Sequence, residues 1–401
     1  MDVVRLCSEL IRIRSDNPPG NTEDITEYIR NYLECLGVGS TLVRGPGGRC
    51  SLVTNGGRKP LLFCGHVDVV PALPERWTHD PLSGTIENRF VWGRGATDMK
   101  GGCAALLTAY RSSIEKGIEP PVCLVFVCDE ETGGKYGIQR LIAKRMISPC
   151  DCLIAEPTAP LHPSIGQKGL LRFTATFAGV PAHASLYPNV GVSAIMEAFG
   201  LLETIKELHQ REYPVDPVMQ DIIRNSSRVL GEIFGMPGLD NVLRKIMYNP
   251  GTIRGGEKAN IVAQHCSLEL DMRLPWGCDP EDVFREIQAS AGSATFSLQN
   301  MSGPTFTPQD RDIVRVTCDE IAKQYHGVVS PIVQWAASDA RYLRKAGFNV
   351  IEYGPGEITT LHAIDEHVSI GSLHRAVAIY EGIMAAYRND CGPGLNCAGS
   401  S

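Results

Sequence analysis

The chain has 401 residues, of which 43% are hydrophobic and 21% are charged, as is typical of a soluble globular protein with a full core. Its net charge of −7 at pH 7 argues against nucleic acid or an anionic membrane as the main partner. No apolar run reaches the length of about 18 residues that predicts a transmembrane helix. The first residues lack the apolar core of a signal peptide, and 14 cysteines without an export signal predict reduced thiols and a cytoplasmic location.

Strands alternating with helices are predicted in the first 168 residues. Continuous apolar runs at 60–70, 121–128 and 152–155 are typical of strands covered on both faces of a sheet. A segment rich in alanine and leucine, 99–117, predicts a helix between the first two runs. This order indicates a three-layer α/β domain with a mostly parallel central sheet.

A different pattern begins at about residue 169. Apolar residues alternate with polar or small residues in 171–177 and 266–272, which predicts half-exposed strands. Helices are predicted from about 192 to 209 and from 279 onward, the second with an Asp-Pro start. These elements describe a small α+β domain, in which two helices lie on one face of a small antiparallel sheet that we expect to have four strands.

The α/β pattern returns after this block. We therefore predict a larger domain formed by 1–168 and 295–401, interrupted by a smaller domain at 169–294. Prolines and glycines interrupt the pattern at 211–250, and no helix or strand can be assigned there from the sequence. The tail at 392–401 is expected to be disordered.

Histidines and acids recur where the strands of the larger domain are predicted to end. His66 and Asp68 follow the first buried strand, Glu130 and Glu131 the second, Glu156 the third, and His362 a later strand at 349–353; Asp98 lies in a Gly-rich loop before a helix. Because ligand sites form beyond the carboxyl ends of parallel strands, we expect these side chains to meet. Two histidines with several acids suit a pair of first-row ions, zinc foremost.

Spacing suggests roles for some of these residues. His66 and Asp68 are two apart, so on an extended strand both face the same way, and Asp68 could accept a hydrogen bond from the imidazole that binds metal. Glu130 and Glu131 are adjacent and point in different directions, so one could bind metal while Glu130 takes a proton from water. Taken singly, each residue has an ordinary explanation, such as a helix N-cap for Asp98. Only the set as a whole indicates a cation site.

Other catalytic patterns are incomplete. Gly93–Asp98 begins like a dinucleotide-binding loop but lacks the third glycine, and the chain has neither a phosphate-binding P-loop nor a G-x-S-x-G elbow.

Seven motifs occur in the order found in the dinuclear zinc amidohydrolases: GHVDVVP, GRGATDMKGG, DEETGG, AEPT, GVPAHAS, SDAR and LHAIDEHV. The chain resembles this family, which includes acetylornithine deacetylase, succinyl-diaminopimelate desuccinylase, aminoacylase and a glutamate carboxypeptidase, over residues 5 to 390. The resemblance implies two zinc ions, with cobalt or manganese as alternatives. It assigns His66, Asp98 and Glu156 to one ion and Glu131, Asp98 and His362 to the other, with Asp68 orienting His66 and Glu130 as general base and acid.

The same resemblance implies that the inserted block is a lid that also forms a homodimer. His183 then matches a lid histidine that stabilises the oxyanion, often in the partner's active site. Asn260 and Arg273 match positions that contact substrate, with Arg273 a candidate for its carboxylate. Arg254 is a second candidate, although a solvated loop arginine is an equally good explanation. Ala263-Gln264, where relatives usually carry a proline, and the long 211–250 piece depart from the family pattern.

The function expected from these features is metal-dependent hydrolysis of an N-acyl amino acid at its amide bond. A dipeptidase or carboxypeptidase using the same site is the alternative among enzymes, and a free carboxylate on a small substrate suits both. A non-catalytic metal-binding or regulatory protein on this scaffold is the alternative of a different class. The filled metal and base positions favour an enzyme.

Overall fold

The computed structural model describes residues 2–389, so the predicted disordered tail at 392–401 lies outside the described residues. These residues form two compact units. The larger unit comprises the chain up to Ile165, Phe306–Ile332 and the chain from Ser338 onward, and the smaller comprises Gly166–Thr305 and Val333–Ala337.

The strands and helices are numbered in chain order. The strands are β1 (Ser40–Arg44), β2 (Cys50–Thr54), β3 (Leu61–His66), β4 (Thr85–Glu87), β5 (Phe90–Trp92), β6 (Val122–Val127), β7 (Asp151–Ile154), β8 (Ser164–Gln167), β9 (Gly169–Ala178), β10 (Met247–Gly255), β11 (His265–Leu274), β12 (Ala294–Ser302), β13 (Thr305–Phe306), β14 (Ile332–Gln334), β15 (Asn349–Glu352) and β16 (His367–Ser369). The helices are α1 (Val3–Arg12), α2 (Glu23–Glu34), α3 (Lys100–Glu115), α4 (Ile138–Ala143), α5 (Ala194–Gln210), α6 (Pro217–Phe234), α7 (Leu239–Arg244), α8 (Pro280–Ser290), α9 (Asp312–Gln324), α10 (Ala340–Lys345) and α11 (Ile370–Asn389).

The larger unit is built on a sheet whose strands run in the order β1-β2-β6-β3-β7-β15. The four strands β6, β3, β7 and β15 are parallel to one another, and β3 is buried along its whole length. Helix α3 packs against β3 and against α1 and α11. The prediction of an α/β fold with a mostly parallel central sheet is confirmed, and the parallel strands place their carboxyl ends along one edge.

The smaller unit is a four-stranded antiparallel sheet in the order β10-β11-β9-β12. Alternate residues of β9 and β11 face a core that α5 and α8 complete, as Phe173, Phe177 and Leu270 illustrate with no exposed surface. The predicted α+β arrangement, two helices on four antiparallel strands, is confirmed. In residues 2–389, no helix combines the length and the apolar character needed to cross a bilayer.

The boundary of the smaller unit differs from the prediction at 294. Strand β12 begins at Ala294 and pairs with β9 along its length, so the unit continues to Thr305. The sequence ATFSLQNMS contains several polar residues, and much of this edge strand is exposed, which explains why its pattern did not separate it from the following domain.

The segment at 211–250, for which no structure was predicted, contains α6 and α7. Helix α6 has Asp216 as its N-cap, whose carboxylate accepts a hydrogen bond from the Met219 N–H, and Pro217 at its first position. It ends at Gly235, which has a left-handed φ of 63°. These are ordinary start and stop signals, and they were present in the sequence. Lys168 Nζ donates to the main-chain oxygens of Val242 and Lys245 at the end of α7, at 2.6 and 2.5 Å.

Candidate metal centre

Each predicted ligand lies just beyond a strand of the central sheet or in a loop beside it. His66 is the last residue of β3 and is 2% exposed. Glu130 and Glu131 form a short turn after β6, and the preceding Asp129 has a φ of 71° that reverses the chain. Glu156 follows β7 by two residues. The parallel arrangement of β3, β6 and β7 therefore gathers these side chains at one edge.

The structure brings five predicted ligands together in two groups. His66, Asp98 and Glu156 form one group, Asp98, Glu131 and His362 form the other, and within each group the candidate ligand atoms all lie within 4.8 Å of one another. Asp98 belongs to both groups and divides its carboxylate between them. Its Oδ1 lies 2.9 Å from His66 Nε2 and its Oδ2 lies 3.2 Å from His362 Nε2.

The other acids complete the two groups. Glu156 Oε1 lies 3.7 Å from His66 Nε2, and Glu131 Oε2 lies 3.4 Å from His362 Nε2. Asp98 and Glu131 accept hydrogen bonds from His362 and raise its pKa to about 10. Burial raises the pKa of Asp98, but hydrogen bonds from His362 and His66 outweigh burial, and its pKa falls below the usual value. The two groups contain more carboxylates than imidazoles, and this excess favours the binding of cations at the site.

The donor set fits two divalent first-row ions. Imidazole nitrogen and carboxylate oxygen are the ligand types that zinc, cobalt and manganese accept. The Oε1 atom of Glu131 is buried and has no hydrogen-bond partner among the described residues. A buried carboxylate oxygen without a donor is costly, and a cation in the second group would satisfy it.

Glu366, which the sequence analysis missed, fixes the loop that carries Asp98. Its Oε1 accepts hydrogen bonds from the N–H groups of Thr97 and Asp98, at 2.9 and 3.0 Å. Its other oxygen pairs with Arg94, and the glutamate side chain is fully buried. Glu366 follows His362 in the LHAIDEHV motif, so its presence in that motif was the available signal, but its partner lies 268 residues away.

Asp68 contacts His66 differently from the predicted arrangement. His66 Nδ1 donates to the main-chain oxygen of Asp68 at 2.8 Å, whereas the Asp68 carboxylate lies 3.8 Å from that nitrogen. Strand β3 ends at His66, so the two side chains do not share an extended strand. The carboxylate instead accepts hydrogen bonds from the N–H groups of Glu130 and Glu131, both at 3.2 Å, and from Asn17 Nδ2 at 2.8 Å. Asp68 therefore holds the Glu130–Glu131 turn.

Glu130 stands in this turn beside the two groups without belonging to either. Burial raises the pKa of Glu130 well above the usual value. The nearby Glu156 carboxylate also raises this pKa, whereas His66 lowers it. A carboxylate with a raised pKa next to a cation site can accept a proton and return it. This geometry agrees with a general base, and the role itself stays a prediction.

In the smaller unit, His183 and Asn260 lie on adjacent segments. Ala184 N–H donates to the main-chain oxygen of Asn260 at 3.2 Å, and His183 pairs with Ile261 as an isolated bridge. His183 is exposed, and its Nδ1 accepts from the Ser185 N–H at 3.3 Å. The same Nδ1 lies 2.7 Å from Ser185 Oγ, so both contacts with Ser185 fall on this ring nitrogen.

Arg254 and Arg273, the two candidates for binding the substrate carboxylate, do not lie close together. Arg254 lies opposite Ser267 on the β10–β11 ladder, and Arg273 lies opposite Met247 near the other end. Six residues of strand separate these positions, a distance of roughly 20 Å. Arg273 Nε donates to Asp271 Oδ1 at 2.8 Å, so its guanidinium already has a carboxylate partner, whereas Arg254 is exposed. The two cannot bind one carboxylate together within this unit.

Comparisons with known proteins identify the family of the chain. Residues 62–386 match the profile of Peptidase family M20/M25/M40. The chain is 30% identical over 346 residues to a probable carboxypeptidase of Ajellomyces dermatitidis, covering 82% of this chain and 72% of the relative. It is 28% identical over 331 residues to a succinyl-diaminopimelate desuccinylase of Helicobacter hepaticus, covering 78% of this chain and 76% of the relative.

Among solved structures, the fold is similar to an M20 family metallo-carboxypeptidase from Sulfolobus solfataricus. The TM-score is 0.77 at 23% identity, over 96% of this chain and 99% of that one. The predictions of the family and of an enzyme are confirmed. The chain belongs to Peptidase family M20/M25/M40, and it is a metal-dependent hydrolytic enzyme that acts on amides.

Proposed function

We propose that the protein hydrolyses the amide bond of an N-acyl amino acid that carries a free carboxylate. The observation that carries this proposal is the division of the Asp98 carboxylate between two histidines, each within a three-residue group of candidate metal ligands, with Glu130 on the adjoining turn. Shared carboxylates of this kind support hydrolytic attack at two-metal sites.

His66, Asp98 and Glu156 would hold one ion, and Asp98, Glu131 and His362 would hold the other. We propose zinc for both, with cobalt or manganese as alternatives that the same donors accept. When bound, such ions polarise the amide carbonyl and lower the pKa of a water molecule.

Glu130 accepts the proton of the attacking water and later donates it to the nitrogen of the leaving amine. Its raised pKa suits both steps, because a carboxylate with an ordinary pKa would return the proton poorly. Asp68 positions this base, since its carboxylate accepts hydrogen bonds from the N–H groups of Glu130 and Glu131.

The roles of the smaller unit rest on the family resemblance. His183 would donate a hydrogen bond from Nε2 to the oxyanion, since its Nδ1 is the nitrogen in contact with Ser185. Asn260 would contact the substrate next to it. Arg273 or Arg254 would bind the substrate carboxylate. His183→Ala should lower kcat by about 10²-fold or more with metal content retained, and a silent variant would refute the oxyanion role.

A carboxypeptidase or dipeptidase activity is the second candidate, and it is favoured by the identity to the probable carboxypeptidase. A panel of N-acetyl, N-succinyl and N-carbamoyl amino acids and of dipeptides separates the two, with product release measured on protein loaded with Zn²⁺ or Co²⁺. Preference for an N-acyl amino acid supports the first candidate. Higher kcat/KM for dipeptides establishes the second.

Adjacent glutamates provide a matched test of the base. Glu130→Gln should lower kcat by about 10²- to 10⁴-fold, the usual contribution of general acid–base catalysis, while two ions remain bound. Glu131→Gln should instead lower metal content, because Glu131 is a candidate ligand. Elemental analysis beside steady-state kinetics checks both, and near-normal turnover by Glu130→Gln would exclude it as the base.

We also propose a homodimer through the smaller unit. Strand β10 is an edge of the sheet, Ile253 on it is 55% exposed, and Met196 and Phe199 of α5 are about half exposed. An unpaired edge beside exposed apolar side chains suits a second copy of the same surface. Phe199→Glu should convert the dimer to a monomer in light scattering. A monomeric wild-type protein would refute the dimer.

A cytoplasmic location is likewise our proposal. All twelve cysteines in residues 2–389 are free thiols, as expected in a reducing compartment.

A further inference from the structure

Asp98 and His362 lie on two segments of the larger unit that leave the same end of a small sheet. Asp98 lies in the segment that follows β5, and His362 lies in the segment that precedes β16. The two strands pair antiparallel, with Trp92 opposite His367. The distance between Asp98 and His362 therefore depends on how the two segments are held together beyond these strands.

A buried ion pair, Arg94–Glu366, connects the two segments. Arg94 is 4% exposed and Glu366 is fully buried, and Arg94 Nη1 donates to Glu366 Oε2. The other oxygen of the glutamate accepts a hydrogen bond from the Asp98 N–H at 3.0 Å. Arg94 Nη2 donates to the main-chain oxygen of His362 at 3.3 Å. The two side chains therefore form one connection between the backbone of Asp98 and the backbone of His362.

The first ligand group has a different support. His66 ends β3 and Glu156 follows β7, and these two strands are paired neighbours in the central sheet. The main-chain hydrogen bonds of the sheet thus fix their spacing. In the second group, His362 lies outside the sheet, and its side chain is 52% exposed. The main-chain oxygen that Arg94 binds belongs to a ligand of the second group only.

An arginine is suited to this connection because its guanidinium is planar and presents its donors in a fixed fork. The two terminal nitrogens of Arg94 bind different acceptors, the Glu366 carboxylate and the His362 main-chain oxygen. The guanidinium carbon also lies 5.1 Å from the centre of the Trp77 ring, a cation–π contact. A lysine ammonium is a single point of charge on a flexible stem, so it would keep the ion pair without holding both acceptors in this geometry.

We propose that Arg94 and Glu366 are positioning residues for the second metal ion, because they set the spacing between Asp98 and His362. This inference rests on the two ions of the proposed function. Arg94 holds the backbone of His362 and therefore acts on the second group, whereas Glu366 holds the backbone of the shared ligand Asp98 and acts on both groups. Neither side chain belongs to a ligand group itself.

Calorimetric titration of the metal-free protein with Zn²⁺ tests this inference without an activity assay. The wild type should bind two ions with two dissociation constants. Arg94→Lys should raise the second constant by about 10- to 100-fold, the range typical of a lost partner behind a metal ligand, and should leave the first close to its wild-type value.

Two ligand variants show which ion is affected. Glu131→Gln removes a ligand of the second group, and Glu156→Gln removes a ligand of the first. Adding Arg94→Lys should weaken the ion that remains in Glu156→Gln. It should not weaken the ion that remains in Glu131→Gln.

Arg344→Lys is the matched control, because Arg344–Glu352 is another buried ion pair of the larger unit. The Arg344 side chain is 4% exposed and the Glu352 side chain is fully buried, and Arg344 also donates to a main-chain oxygen, that of Val350, at 3.1 Å. Neither acceptor belongs to a ligand group. Arg344→Lys should lower the thermal stability of the metal-free protein, as Arg94→Lys does, but should change neither dissociation constant.

Hydrogen exchange in the wild type provides a second test that does not depend on the folding of a variant. Coupling between two sites is reciprocal, so filling the second group should stabilise the connection through Glu366. The peptide that contains the N–H groups of Thr97 and Asp98, both of which donate to Glu366, should exchange more slowly with two equivalents of Zn²⁺ than with one.

Three results would overturn the proposal: unchanged dissociation constants in Arg94→Lys, an equal loss of affinity for both ions, or equal exchange with one and two equivalents of Zn²⁺. If the wild type binds two ions, each of these results refutes this inference alone. A wild type that binds fewer than two ions would refute the pair of ions in the proposed function and this inference with it. Two bound ions without amide hydrolysis would refute the proposed function and leave this inference standing.

Discussion

Asp68→Asn separates two explanations of how Asp68 acts, one in which it orients His66 and one in which it holds the Glu130–Glu131 turn. In the structure, His66 Nδ1 donates to the main-chain oxygen of Asp68, and an asparagine retains that oxygen. The side-chain carboxylate holds the Glu130–Glu131 turn through two main-chain N–H groups. The substitution should therefore disturb the proposed base and leave the histidine in place.

The size of the expected fall in kcat follows from the three hydrogen-bond donors around the Asp68 carboxylate. Oδ1 accepts from Glu130 N–H, and Oδ2 accepts from Glu131 N–H and from Asn17 Nδ2. The less costly orientation of the asparagine amide turns its NH₂ group toward Glu130 N–H alone. One hydrogen bond to a charged group is then lost, about 1.5–3 kcal/mol. If that free energy is lost from the alignment of Glu130, kcat falls by roughly 10- to 150-fold.

The assay is steady-state kinetics combined with metal titration. We expect kcat to fall in this range, with KM and the metal dissociation constant close to the wild-type values. Asp279→Asn is the matched control, because Asp279 also accepts from two consecutive N–H groups, at the start of α8 in the smaller unit. Asp68 instead acts by orienting His66 if Asp68→Asn weakens metal binding by the 10- to 100-fold typical of a lost histidine-orienting partner while kcat of the fully loaded enzyme is normal.

Three further predictions concern the ligands, the turn and the inserted helix. Asp98→Asn should reduce bound metal below two ions per chain by elemental analysis, because each Asp98 oxygen faces a different histidine; two tightly held ions would contradict a shared ligand. Gly134→Ala should abolish activity and should lower thermal stability more than Gly133→Ala does. Both glycines have a positive φ, but only at Gly134 would a Cβ collide with a neighbour, since it would lie 2.4 Å from Asp339 Oδ1. Equal effects of the two substitutions would contradict this. Asp216→Ala should destabilise α6 by about 1 kcal/mol, seen as faster hydrogen exchange in that helix and nowhere else.

The cluster of candidate ligands could be predicted because its signal is local. His66, Glu131 and Glu156 each follow an apolar run, and the parallel order of those strands converts three separate patterns into one site. Spacing alone could not pair ligands with ions, and only the family resemblance proposed the two groups that the geometry contains.

Features that depend on contacts distant in sequence were not predictable. The Asp68 prediction assumed an extended strand through residue 68, but β3 ends at His66, and the carboxylate reaches the turn at Glu130 instead. Glu366 reaches the loop before Asp98 across 268 residues, and no periodicity encodes such a contact. Helix α6 is different, since Asp216, Pro217 and Gly235 mark its boundaries locally, but the other prolines and glycines of 211–250 obscure these signals.

The position of β15 in the central sheet has a consequence for synthesis on the ribosome. This strand pairs with β7, yet it is made roughly 200 residues later, about 10–40 s at ordinary translation rates. Until then β7 lacks that neighbour and His362 does not exist, so a nascent chain can assemble at most the group of His66, Asp98 and Glu156. The second candidate ligand group is thus completed last, and both groups can be present together only after His362 has been translated.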